Sequence, residues 1–220
     1  MDAKIFFGVL GLSLLAIAVG LLIPVDHVQQ PSTLPWQIES NKQGHTRVFG
    51  LNLNQSTVQD AENQFASPAE ISLFVESDGK HVIEAYFDKI TLNGLRAKMI
   101  LVVDLTSEQL QDLYQRGARI STLGNARKKV VLNTQDLIQV RKHPIKSITY
   151  LPSAKLKDTL LKKHFGEPAQ QIKEPNSDMT HWLYPQFGLD IALNTKGKAV
   201  LQYISPHSFS EIINPLLEEN

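Results

Sequence analysis

At 220 residues the chain is long enough for one domain or two small ones, and its apolar fraction of 42% is that of an ordinary globular protein. It contains no cysteine, which excludes disulfides, thiolate metal sites, a cysteine nucleophile and lipid attachment through an N-terminal cysteine. Its 22 basic and 22 acidic side chains cancel over the whole chain but not along it.

Met1–Lys4 is short and mostly polar, and Ile5–Val25 then runs twenty-one residues without a charge. About 20 helical residues cross the hydrocarbon core of a bilayer, so residues 1–25 are expected to form a transmembrane anchor. Lys4 before the run and Asp26 after it bias the N-terminus towards the cytoplasm. A cleaved secretory signal is the competing reading. Ala16-Ile17-Ala18 has the form of a cleavage site, but Gly20-Leu21-Leu22-Ile23 carries the apolar run past it. On either reading the rest of the chain leaves the cytoplasm, and outside it nucleic acid is not an expected partner.

Residues 26–46, with Pro31, Pro35 and Gly44 among polar side chains, read as a linker. Trp36 and Ile38 are expected to dock on the following domain. Residues 47–106 open with Val48-Phe49-Gly50-Leu51. A helix follows from about Ser56 to Phe65, capped by Ser56 or Thr57 and burying Val58, Ala61 and Phe65. Ile71–Glu76, His81–Leu92 and Leu95–Leu105 read as an antiparallel meander, with turns at Ser77-Asp78-Gly79 and Asn93-Gly94.

Residues 107–151 read as a basic connector with helices over Ser107–Arg116 and Thr134–Arg141 and strands over Lys128–Leu132 and Ile145–Leu151. Residues 152–206 form a second unit. In its helix Leu156, Leu160, Leu161 and Phe165 recur at helical spacing; Gly166 stops it and Pro168 forbids continuation. Four strands are expected after it: Gln171–Lys173, His181–Tyr184, Leu189–Leu193 and Ala199–Ile204. A tail, 207–220, holds a short helix over Phe209–Leu217.

At an offset of one hundred residues Phe65, Pro68 and Ala69 coincide with Phe165, Pro168 and Ala169. His81 and His181, Lys98 and Lys198, and Leu101 and Leu201 coincide as well. The expected class is therefore α+β: an N-terminal transmembrane helix, then two tandem helix-on-antiparallel-sheet units.

The second unit carries Phe165-Gly166-Glu167-Pro168 closing a helix, Trp182-Leu183-Tyr184 on a strand, and Gly197 followed by Val200. In this it resembles the small outer-membrane-assembly lipoprotein family (BamE/SmpA), and a tandem of such units resembles the β-lactamase-inhibitor-protein fold. The resemblance implies a bacterial envelope protein that binds other proteins without catalysis. The chain departs from the lipoprotein pattern in lacking the lipidated cysteine and in carrying two units.

The seven histidines show no zinc-site spacing, and neither a nucleophile elbow nor a glycine-rich phosphate loop is present, so no catalytic, cofactor-binding or metal-ligating residue is assigned. His81 and His181 are read as structural. Charge distribution is the one sharp feature: Arg116 to His164 holds twelve Lys and Arg against Asp136 and Asp158. Arg127, Lys128, Lys129, Arg141, Lys142, Lys162 and Lys163 are candidates for contact with an anionic partner, the alternative being a solvated face spread over several elements. Trp182 and Tyr184 share a sheet face; they are either core against the helix or interface anchors.

The expectation is a non-catalytic, single-pass protein of the bacterial inner membrane. It would hold a periplasmic module that binds envelope proteins, with anionic lipid headgroups as a further contact. The alternatives are a periplasmic sensor or ligand-binding domain for an anionic lipid or small molecule, and a hydrolase whose site is assembled from remote residues.

Overall fold

The computed structural model describes residues 34–40, 46–124, 127–175 and 177–218. The expected anchor, Ile5–Val25, lies outside them, and no helix among the described residues is long and apolar enough to cross a membrane. In chain order, β1 (Glu39–Ser40), β2 (Thr46–Val48) and β3 (Leu51–Asn52) make a small antiparallel sheet. Then come α1 (Val58–Phe65), β4 (Glu70–Val75), β5 (His81–Leu92), β6 (Leu95–Val103), α2 (Ser107–Gln115), β7 (Arg119–Thr122), β8 (Lys128–Val131), α3 (Thr134–Val140) and β9 (Ile145–Pro152). They are followed by α4 (Asp158–Phe165), β10 (Gln170–Lys173), β11 (Met179–Tyr184), β12 (Leu189–Asn194), β13 (Ala199–Ile204) and α5 (Ser210–Glu218).

Local chemistry sets most of these boundaries. Thr57 and Asp60 form a reciprocal capping box on α1, Thr106 and Gln109 do the same on α2, and Asn133 caps α3 by accepting from the Asp136 amide. The β5–β6 hairpin turns at Asn93 (φ 46°) and Gly94 (φ 80°), the positive pair that an Asn-Gly hairpin needs. Gly188 (φ 61°) admits no side chain, because a Cβ there would lie 1.9 Å from the Ile204 carbonyl oxygen.

The expected class, an anchor helix and two tandem helix-on-sheet units, is corrected: the described chain is β-rich and builds one ten-stranded antiparallel sheet, β10-β11-β12-β13-β9-β6-β5-β4-β8-β7. The reason lies in residues 107–151. Their strand β9 pairs with β6 on one side and β13 on the other, closing what would be two sheets into one, while β8 and β7 extend the far edge. β7 was not expected, since Arg-Ile-Ser-Thr carries little strand signal of its own. For four strands either side of the β13–β9 seam the order runs from the last strand back to the first, and across the seam Leu201 faces Tyr150 and Tyr203 faces Ile148. The hundred-residue offset aligns α1 with α4 and β4 with β10, but the single strand β5 falls across both β11 and β12. Leu101 in β6 and Leu201 in β13 flank β9 from opposite sides, facing Ile148 and Tyr150.

The core occupies one face of this sheet. Ile71, Ala85, Leu101, Ile148, Tyr203, Leu189 and Tyr184 stand in one register row across seven strands, and all are buried. Phe65 of α1 meets Phe87 edge-on at 5.3 Å and Phe165 of α4 meets Tyr184 at 5.7 Å. Between them Phe49 packs on Tyr150 and Tyr203 at 5.0 and 5.4 Å. Trp36 and Ile38 do dock on this core. Trp36 stacks on His164 at 4.0 Å, and the buried Tyr203 hydroxyl donates to the Pro35 carbonyl at 2.8 Å.

Candidate functional site

The basic residues singled out from the sequence are spread over the molecule, and the acids that oppose them come mostly from outside their own segment. Arg127 lies 3.9 Å over the Phe74 ring and donates to Glu76 and Glu84 at 2.8 and 2.7 Å. Lys129 pairs with Glu70, Arg141 with Glu62 at 3.0 Å, and Lys162 with Glu167 at 2.8 Å. Lys146 pairs with Glu211 and Arg116 with Asp136. Lys128, Lys142 and Lys163 are exposed and make no ion pair among the described residues. Half of the twelve cations between Arg116 and His164 are thus neutralised in space.

Trp182 and Tyr184 are buried under α4. The Tyr184 hydroxyl donates to the Gly166 carbonyl at 3.0 Å, and burial pushes its phenol up to about 12. Lys162 sits 5.8 Å from the Trp182 ring. These contacts make both aromatics part of the packing that holds α4.

On the opposite sheet face His181 and Asp190 form a buried pair, Nδ1 to Oδ2 at 2.8 Å. Asp190 is 0% exposed and its Oδ1 has no protein partner. The contact with Asp190 raises the His181 pKa above its usual value, and burial raises that of Asp190. Sequence reading placed His181 correctly on a strand but passed over Asp190. The available signal was an acid inside the apolar strand Leu189–Leu193.

That second face is covered at one end by α5, whose Ile212, Ile213 and Leu216 pack on Ile172, Leu183, Ile204 and Phe209. Beyond it the registers align Tyr86, Ile100, Thr149 and Gln202 in one row, with Val102 and Ser147 paired in the next. Leu151 and Val200 lie on the same face. All eight side chains are half-exposed. A solvated sheet face ordinarily alternates polar against apolar. Here Tyr86, Ile100, Val102, Leu151 and Val200 break that rule over neighbouring strands. Sequence analysis missed this patch, although Met99-Ile100-Leu101-Val102-Val103 signals it: an unbroken apolar run in a strand means both faces are apolar.

Most of the surrounding charges are paired: Lys98 with Asp88, Lys146 with Glu211, and Arg127 with Glu76 and Glu84. No group of acidic, histidine or cysteine side chains that could hold a metal occurs among the described residues. Comparison with known proteins brings no match to the chain from family models, curated proteins or solved structures.

Proposed function

We propose that the protein is a non-catalytic binding module of the bacterial cell envelope, and that its partner is another protein presenting an amphipathic, uncharged helix to the open sheet face. The observation that carries this reading is the half-exposed apolar patch Tyr86, Ile100, Val102, Leu151 and Val200. α5 supplies the internal precedent: an amphipathic helix of this same chain already lies on the same face through Ile212, Ile213 and Leu216. Strands are spaced about 4.8 Å apart, so β5, β6 and β9 offer about 10 Å between outer strands, the width of one more helix. An apolar floor with hydroxyl and amide groups and a paired rim suits a protein surface better than an anionic membrane. The helix closed by Phe165-Gly166-Glu167-Pro168 and the Trp182-Leu183-Tyr184 strand, as in the envelope-assembly lipoproteins, point the same way. The envelope placement rests on the apolar run Ile5–Val25.

The chain has no cysteine, so single cysteines at Ile100, Leu151 and, as a control, the exposed Gln139 of α3 can carry a photocrosslinker. Crosslinks from positions 100 and 151, but not 139, to one amphipathic helical segment of one envelope protein are expected. Ile100→Glu with Leu151→Glu should abolish them while circular dichroism shows the sheet still folded. Equal crosslinking from position 139, or capture of a charged extended segment, would overturn the reading.

A further inference from the structure

The lysines that make no ion pair gather elsewhere, at one end of the large sheet. A groove of about 720 Å³ opens there between the β9–α4 loop, the β10–β11 hairpin and the β12–β13 turn. Lys155 and Lys157 of the β9–α4 loop and Lys196 of the β12–β13 turn line it, and an adjoining groove of about 490 Å³ shares Lys155 and Lys157 and adds Lys163. None of the four makes an ion pair among the described residues. Asp158 and Asp178 also lie in the wall, and neither is paired with a lysine, so cations outnumber carboxylates. The floor is apolar, formed by Leu156, Leu193 and the edge of Trp182.

The lysine-bearing segments are fixed to one another. The Leu156 amide donates to the Gly197 carbonyl at 2.8 Å, and the turn fits so closely that a Cβ on Gly197 would lie 2.9 Å from the Leu156 carbonyl oxygen. Asn194 Oδ1 accepts from the amides of Lys196 and Lys198 at 3.0 and 2.8 Å, which leaves its NH2 group free to donate. The four lysines outnumber the two carboxylates of the wall, and a bound polyanion offsets that excess positive charge. Every cation in the lining is a lysine. Lysine is a compact point charge with three donors, and phosphate groups are among the anions it commonly binds.

We infer that this groove binds a ligand bearing two or more phosphate charges, either a free phosphorylated molecule or a membrane headgroup. The site is separate from the open sheet face, and its variants do not touch that face.

Calorimetric titration of the full-length protein with inorganic pyrophosphate at low salt, and sedimentation with phosphatidylcholine vesicles with and without phosphatidate, test it. Binding should weaken roughly fivefold for each of Lys155→Gln, Lys157→Gln and Lys196→Gln, and fade at high salt. Lys128→Gln with Lys142→Gln, exposed cations outside the groove, should bind as wild type. Pyrophosphate binding alone assigns a soluble ligand; a phosphatidate-dependent increase in vesicle binding that these lysines control assigns a headgroup. Failure of both probes, or equal weakening by the Lys128 and Lys142 pair, overturns the inference. Unchanged thermal melting of each variant confirms that binding, not folding, was altered.

Discussion

At the scale of single residues, two positions with left-handed backbone both call for glycine, and only one of them has it. Ala66 ends α1 at φ 48°, where its methyl group crowds the backbone and glycine would not. Ala66→Gly is expected to stabilise the fold by about 0.5–1 kcal/mol, after the entropic cost of glycine. Gly188→Ala is expected to cost roughly 3 kcal/mol or more, since its Cβ would collide with the Ile204 carbonyl as well as strain φ. Urea denaturation of both variants checks the pair; a destabilised Ala66→Gly would contradict the strain argument. The His181–Asp190 pair makes a prediction in pH. Both pKa values are raised in the folded state, so the fold holds protons that the unfolded chain releases. Stability from the pair is therefore full at acid pH and is lost as pH rises through the raised His181 value. Against Asp190→Asn, the wild type should lose relative melting temperature between pH 5 and pH 8. A pH-independent difference would show that the pair does not titrate there.

At the scale of elements, the helices were legible because their signals are local: a hydroxyl or amide cap, an apolar stripe and a breaker. Phe165 shows how far that reading goes. Spacing puts it on the buried stripe of α4, and it is buried against Tyr184. Phe65 holds the matching place on α1 but stays half-exposed at the edge of Phe87. Phe165→Ala should cost roughly 3–5 kcal/mol and Phe65→Ala about 2 kcal/mol, as the two burials differ. Equal losses on denaturation would mean that the helices are seated alike. Strand pairing was less legible, because partners are chosen by register across the whole sheet. Nothing within residues 145–152 says that β9 pairs with β6 and β13 at once. The apolar patch is harder to see for a simpler reason: the run Met99–Val103 marks a strand at once, and its apolar character on both faces is a second, separate signal.

At the scale of the whole molecule, the basic segment shows how poorly charge along a sequence predicts charge in space. Of its twelve cations, Arg127, Lys129, Arg141, Lys146 and Lys162 reach acids outside residues 116–164, and Arg116 reaches Asp136 within them. Substitutions across this segment will accordingly differ in effect. Arg127→Gln should destabilise by about 1–2 kcal/mol, because it removes charge-assisted bonds to two carboxylates and the stack on Phe74. Lys128→Gln, exposed and unpaired, should leave stability within about 0.5 kcal/mol of wild type. Chemical denaturation of the two neighbours side by side is the check, and equal effects would show that the ion pairs of Arg127 do not persist in solution.

The seam at β9 has a consequence for the chain as it leaves the ribosome. β6 is synthesised well before β9, and β9 well before β13. In turn, each presents an unpaired strand edge while its partner is still to be made, and such edges recruit any strand that approaches. A nascent chain cut short after Pro152 would keep β9 open permanently. Two such fragments could then pair edge to edge at the place that β13 fills in the whole protein, so truncation would yield assemblies of fragments rather than a smaller soluble domain.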